Sequence, residues 1–153
     1  MTKIHDFKSK LNLLSNVLEK KSAYCTLLVR IGISGVFLWF GIDKFFHPTN
    51  WSAWVPPWIG SLVPISLITF MYVQGVFETI TGCLLLVGYK TRFAAFLAVL
   101  TLGGVALAML GTGQTEVMLR DAGLLAASLS LLLSGSSCFC INSIKKKKKL
   151  KNI

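Results

Sequence analysis

The sequence has few charged residues and few of the side chains that build common catalytic centres. Charged residues make up 14% of its 153 residues, and only six are acidic, whereas a soluble domain usually carries about 25% charged residues. The two histidines, His5 and His47, are too few for a histidine-rich metal centre. No nucleophile elbow, phosphate-binding glycine loop or nucleotide fingerprint is present. The sequence therefore predicts no metal site and shows no evident cofactor.

The sequence is rich in long apolar stretches. Hydrophobic residues make up 54% of the chain, and the mean hydropathy is +0.66. Four stretches are long enough to cross about 30 Å of hydrocarbon, at residues 23–42, 65–87, 93–110 and 117–138. Each must be a helix, because lipid leaves backbone polar groups no other partners. The predicted fold class is all-α, an integral membrane bundle of four transmembrane helices.

The basic residues predict the orientation in the membrane. Thirteen of the 16 lysines and arginines lie before the first helix, between the second and third, or after the fourth. Four spans place these three segments on one side, and basic segments face the cytoplasm. We therefore predict a multi-pass protein of a bacterial-type inner membrane, with both termini cytoplasmic. This distribution favours lipid over nucleic acid as the partner of the +10 charge.

Three segments divide the chain. Residues 1–21 form a basic segment whose apolar residues recur at helical spacing, which predicts an amphipathic helix on the inner membrane surface. A disordered basic leader is the open alternative. Residues 22–140 form the membrane domain, and residues 141–153 form a basic cytoplasmic tail. The four cysteines, at positions 25, 83, 138 and 140, include no C-x-x-C pair and are predicted to stay reduced. Cys138 and Cys140 are predicted to be small buried thiols, with metal binding or lipid attachment as the alternatives.

Polar residues inside the apolar stretches predict a buried seam. Glu78 is the only charge in a 23-residue apolar run, where an unpaired carboxylate costs about 3 kcal/mol or more. Arg30 interrupts the first helix at a similar predicted depth, so we expect the two side chains to meet. Helical spacing adds Ser34 beside Arg30 and Gln74 beside Glu78. The predicted seam therefore contains Arg30, Ser34, Gln74 and Glu78.

A second group of charges lies at the outer ends of the first and fourth helices. Its members are Asp43, Lys44, Arg120 and Asp121. Two interpretations are open for both groups. They are interhelical ion pairs that fix the fold, or they form a ligand-binding or proton-linked site in which Glu78 titrates.

The loop between the first two helices is rich in tryptophan and proline. Residues 47–58 contain three of each. Proline disfavours a long helix there, and tryptophan favours the headgroup region of the membrane. Trp51, Trp54 and Trp58 are therefore either an aromatic anchor or a lid over the outer mouth of the bundle, in contact with a flat amphiphile such as a quinone.

The charged residues of the apolar helices lie in three stretches of sequence that match a known pattern. They are RIG at 30–32 with FLWFGIDKF at 37–45, GVFE at 75–78 with GCLLLVG at 82–88 and TR at 91–92, and RD at 120–121 with GLL at 123–125. Together, over about residues 24–133, they resemble the DoxX family of small four-helix membrane proteins.

The resemblance implies a role beside redox complexes. Some members are quinone-reducing subunits of thiosulfate oxidation systems, and others accompany membrane oxidoreductases in oxidative-stress defence. It directs attention to Arg30, Lys44, Glu78, Arg92 and Arg120. It implies a quinone-linked subunit or accessory of a membrane oxidoreductase system, with a redox partner protein or a second copy of the chain. The alternatives are a non-enzymatic factor that assembles or stabilises a partner, or a small proton-coupled carrier. Catalytic activity is left open.

Overall fold

The computed structural model describes residues 2–110 and 112–134, with the side chains of residues 22, 24–110 and 112–134. These residues form helices and no strand. The helices are α1 (Thr2–Phe46), α2 (Pro48–Ser52), α3 (Pro57–Leu62), α4 (Leu67–Val87), α5 (Thr91–Met109) and α6 (Thr115–Ser134). The predicted all-α fold class is confirmed.

Four helical segments are long and apolar enough to cross a membrane. They are Tyr24–Phe46 of α1 and the whole of α4, α5 and α6. This confirms the four predicted transmembrane helices. The sequence predicts that the first of them ends at residue 42, before the charged residues Asp43 and Lys44. In the structure α1 continues to Phe46. Residues 135–138 and the basic tail lie outside the described residues, and the orientation of the termini stays a prediction.

Helix α1 is 45 residues long and includes the segment for which the sequence predicts a separate amphipathic helix. It continues without a break from Thr2 into the first transmembrane span. The side chains of residues 2–21 lie outside the description. The placement of this segment on the membrane surface therefore stays a prediction.

Local sequence defines both ends of α4. Ser66 is its N-cap, and the Ser66 hydroxyl accepts a hydrogen bond from the Thr69 N–H at 3.2 Å. At the other end Gly88 adopts a φ of 70°, and its N–H donates to the carbonyls of Leu84 and Leu85. Glycine adopts this left-handed conformation without steric cost. The turn spans only residues 88–90, which makes α4 and α5 antiparallel neighbours as the sequence predicts.

The four spans pack chiefly as two pairs, α1 with α4 and α5 with α6. Buried apolar side chains from all four spans form one core. Its members are Ile33, Phe37, Leu85, Ala94, Ala95, Ala98, Leu102 and Leu131. The small alanines of α5 let its backbone come close to its neighbours. This core lies toward the end of the bundle where the turn at residues 88–90 joins α4 to α5, and the charged residues of the site lie toward the other end.

Glycines set the register between α1 and α4. A Cβ atom at Gly41 would lie 2.8 Å from the Thr79 nitrogen and 3.0 Å from the Gly75 carbonyl oxygen. A Cβ atom at Gly82 would lie 2.9 Å from Leu38 Cγ. The two backbones therefore nearly touch at Gly41, as small residues allow in transmembrane pairs. Gly41 lies level with the turn of α4 between Gly75 and Thr79.

Two of the four cysteines lie within the described residues. Cys25 and Cys83 are free and exposed. They lie on helix faces that point away from the neighbouring spans. Cys138 and Cys140 lie outside the described residues.

Candidate functional site

A buried ion pair joins α1 to α4. Lys44 Nζ lies 2.5 Å from Glu78 Oε2, and the two side chains are only 4% and 9% exposed. Gln74 lies one turn along α4, and its amide nitrogen donates to Glu78 Oε1 at 3.4 Å. Because both charges are withdrawn from solvent, each depends on the other for compensation. This pair is the centre of the candidate site.

The predicted contact between Arg30 and Glu78 is wrong. The Glu78 carboxylate is bonded to Lys44 and Gln74 instead. The glycine contacts place Glu78 level with Gly41, eleven residues from Arg30 along α1, or about 16 Å at the helical rise. The prediction counted the depths of Arg30 and Glu78 from the predicted ends of their helices. It therefore did not include the shift of α1 along α4 that the glycine contacts impose.

Arg30 and Ser34 lie deeper in the bundle. Both are buried, and the Ser34 hydroxyl donates to the Arg30 carbonyl oxygen at 2.6 Å. The register places Arg30 near the turn at residues 88–90. The predicted seam is therefore divided, with Gln74 and Glu78 in its outer part and Arg30 with Ser34 in its inner part.

Asp43 connects the end of α1 to the outer loop, which is the segment at residues 47–63 that the sequence predicts to lie on the outer side. Its carboxylate accepts a hydrogen bond from the Trp51 indole nitrogen at 2.8 Å and lies 2.9 Å from His47 Nδ1. These three residues follow i, i+4, i+8 spacing, although helix α1 ends between them. Asp43 thus holds Trp51 above the neighbouring Lys44.

Arg120 and Asp121 bring a further pair of charges from α6. Arg120 Nε donates to Asp121 Oδ1 at 2.8 Å, and the Asp121 side chain is only 5% exposed whereas that of Arg120 is 43% exposed. The Arg120 guanidinium carbon lies 4.8 Å from the centre of the Phe40 ring, which is cation–π geometry. This contact connects α6 to α1.

All of these outer charges line one cavity of about 640 Å³. Its walls come from α1, α4, α5 and α6 and are largely apolar. The charged and amide side chains at its surface are Asp43, Lys44, Gln74, Glu78, Asn50, Arg120 and Asp121. The structure therefore brings the predicted outer charges together with the outer part of the predicted seam. Arg30 and Ser34 do not line this cavity.

Two of the three loop tryptophans line the cavity. They are Trp51 and Trp54, whereas Trp58 does not line it and is 51% exposed. The centre of the Trp51 ring lies 4.2 Å from Lys44 Nζ, and the ring packs edge-on against Phe40 with centroids 5.3 Å apart. Trp51 and Trp54 thus form part of the cavity wall and Trp58 does not, while the roles of lid and anchor stay predictions.

Replacing Trp51 by phenylalanine is expected to loosen residues 47–63. The change removes the indole donor to Asp43 while keeping an aromatic ring near Lys44. Loss of a hydrogen bond to a charged group costs about 1.5 kcal/mol, so amide exchange in this loop should accelerate roughly tenfold. Hydrogen–deuterium exchange of the purified protein measures this directly.

Trp58→Phe is the matched control for this change. It alters a tryptophan of the same loop that does not line the cavity, and it should leave exchange at residues 47–56 unchanged. Equal acceleration in both variants would contradict the role assigned to the bond between Trp51 and Asp43.

Several cavity residues carry no signal in the sequence. Phe70, Met71 and Thr101 line the cavity, but each is an ordinary residue of an apolar helix. His47 could have been found, because its spacing from Asp43 and Trp51 is helical. The close pairing of Lys44 with Glu78 could be found only once the register between α1 and α4 was known.

A sequence model of the DoxX family matches residues 25–111. The chain belongs to the DoxX family. The matched region covers more than half of the chain and includes α4, α5, the outer loop and the transmembrane part of α1 from Cys25. Arg120 and Asp121 of α6 lie beyond it. No curated protein and no solved structure matches this DoxX protein.

Proposed function

We propose that this DoxX protein binds a quinone in its outer cavity and serves as a subunit or accessory of a membrane oxidoreductase system. The buried pair of Lys44 and Glu78 at the wall of an otherwise apolar cavity is the observation that carries the proposal. Ligand sites are typically apolar clefts of about 300–1,000 Å³ with a few convergent polar groups. The cavity meets both criteria.

The residues at the cavity fit the shape and chemistry of a quinone head. Its flat ring suits an aromatic surface such as Phe40 and Trp51, and its carbonyl oxygens need donors. Lys44, Gln74 and Arg120 supply N–H groups at the cavity surface. A bound quinone accepts two electrons and two protons.

The chain's own groups hold and position protons at this cavity. The Glu78 carboxylate accepts from Lys44 and Gln74, and Asp121 is a second buried carboxylate at the same surface. Two carboxylates, one paired with Lys44 and the other with Arg120, form an arrangement that can exchange a proton with a bound molecule. Electrons are assigned to a redox partner protein.

The topology completes the proposal. With both termini in the cytoplasm of a bacterial-type inner membrane, as the basic segments favour, the tryptophan loop and the cavity lie toward the outer side. A redox partner protein would then deliver electrons near the outer leaflet.

Glu78→Gln is expected to abolish quinone retention. The change keeps the shape of the side chain but removes the charge that holds Lys44 in place, and we expect at least about a tenfold loss of affinity. Mass spectrometry of small molecules that co-purify with the detergent-extracted protein measures the quinone content. A stoichiometric quinone in the wild type and none in the variant is the expected result.

Glu116→Gln is the control for this experiment. Glu116 is exposed in the first turn of α6 and does not line the cavity, so its variant should retain quinone. Phospholipid alone in the wild type would contradict the proposal.

A second candidate is a non-enzymatic membrane factor that stabilises a partner protein. The observation that favours it is the position of the ion pair beside the close glycine contacts of α1 and α4, where it also locks the helices together. The exchanged pair Lys44→Glu/Glu78→Lys separates the two candidates. A lock tolerates the exchange, whereas a quinone site should lose its ligand even if the fold survives.

A further inference from the structure

The cavity extends from its charged corner into the space between α4 and α5. Phe70 of α4 and Leu100 and Gly104 of α5 all line it. The two helices meet at the turn of residues 88–90 and pack less extensively than α1 with α4 or α5 with α6, although α1 and α6 pack less still. Helices that are joined at one end and sparsely packed along their length leave room between their other ends.

Leu100 and Gly104 also belong to the outer surface of α5. Leu100 is 56% exposed and shares a helix face with Phe93, Phe96 and Leu107, which are exposed as well. In a membrane this apolar face contacts lipid. A Cβ atom added at Gly104 would meet nothing within 4 Å. The cavity and the lipid-facing surface are therefore continuous at this position.

Another side of the cavity is lined by aromatic residues of the outer loop. Trp51 and Trp54 contribute to it, and Trp51 is fixed by its bond to Asp43 and by its packing on Phe40. The loop side thus carries polar-tipped aromatic side chains, while the side between α4 and α5 is lined by apolar groups.

We propose that the opening between α4 and α5 is a lateral portal for a membrane-dissolved amphiphile. The polar head enters toward Lys44 and Glu78, and the apolar chain stays between Phe70 and Leu100. This inference rests on the proposed function and defines its ligand class, because the quinone must then carry an apolar chain and come from the bilayer.

Neighbouring glycines allow a direct test. Gly104→Phe would fill the portal. Gly103→Phe adds the same side chain at the neighbouring residue, which does not line the cavity. Both sites are helical and a Cβ atom meets nothing within 4 Å at either one. The probes are a benzoquinone without a chain and the same benzoquinone with a long alkyl chain, titrated by quenching of tryptophan fluorescence in the purified full-length protein.

The chain-bearing quinone should bind the wild type at least about tenfold more tightly, since each buried methylene adds to affinity. Gly104→Phe should remove this advantage and keep the affinity for the chainless quinone. Gly103→Phe should behave as the wild type does.

Other outcomes overturn the inference in distinguishable ways. Equal affinity of the two quinones for the wild type, or an unchanged advantage in Gly104→Phe, excludes the portal and leaves the proposed function intact. Loss of both quinones in Gly104→Phe alone would place the head, not the chain, at this position. Absence of binding of either quinone to the wild type would overturn the portal and the proposed function together.

A second measurement needs no variant. A quinone with a photoreactive group at the end of its chain should label residues 67–77 of α4 or residues 100–107 of α5 in the wild type. Labelling confined to the outer loop at residues 47–63 would show that the chain leaves toward water, which contradicts a lateral portal.

Discussion

Replacing Lys44 by methionine should lower the free energy of unfolding by about 3–5 kcal/mol, the usual cost of removing one partner of a buried ion pair. Methionine preserves most of the side-chain volume, so the loss isolates the charge. Glu78 then keeps only Gln74 as a side-chain partner among the contacts described above. Thermal or denaturant unfolding of the detergent-solubilised protein provides the measurement.

The double variant Lys44→Met/Glu78→Met is the control for this prediction. Replacing a whole buried pair by apolar residues of similar size is often neutral or stabilising, so the double variant should recover most of the loss. Lys90→Met, at an exposed lysine in the turn before α5, should have little effect. A single Lys44 variant as stable as the wild type would show that the pair does not hold α1 to α4.

Much of the fold could be predicted from the sequence because lipid imposes strong rules on it. Four long apolar stretches must become four helices, and Gly88 marks the turn after α4 through its left-handed backbone. The end of α1 was harder to predict, because Asp43 and Lys44 are charged. They remain helical because Lys44 is compensated by Glu78 and Asp43 by Trp51.

The site could be predicted only in part, because the sequence does not contain the relative shift of two helices. Spacing along one helix correctly placed Gln74 beside Glu78. The partner on the other helix depends on how far α1 slides along α4, and this is decided by backbone contacts at Gly41 and Gly82. A lysine stem also spans about one helical turn, so Lys44 reaches Glu78 from a more outward level.

Alanine at Gly41 is expected to destabilise the protein by about 3 kcal/mol, at the upper end of the usual cost of overpacking. The added methyl would lie 2.8 Å from the Thr79 nitrogen and 3.0 Å from the Gly75 oxygen. These are backbone atoms of α4, which cannot rotate away as a side chain would. The two helices must therefore separate, and the separation also draws Lys44 from Glu78.

Gly35→Ala is the matched control because it adds the same methyl to the same span of α1, where nothing lies within 4 Å. It should leave stability unchanged or raise it by up to about 1 kcal/mol, since alanine favours helix more than glycine does. Equal unfolding midpoints for the Gly41 and Gly35 variants would mean that α1 and α4 are not held in backbone contact. The two variants should therefore change the free energy of unfolding differently, with a loss at Gly41 and no loss at Gly35. Gly41 allows the close approach of α1 and α4, and this approach also sets the level at which Lys44 pairs with Glu78.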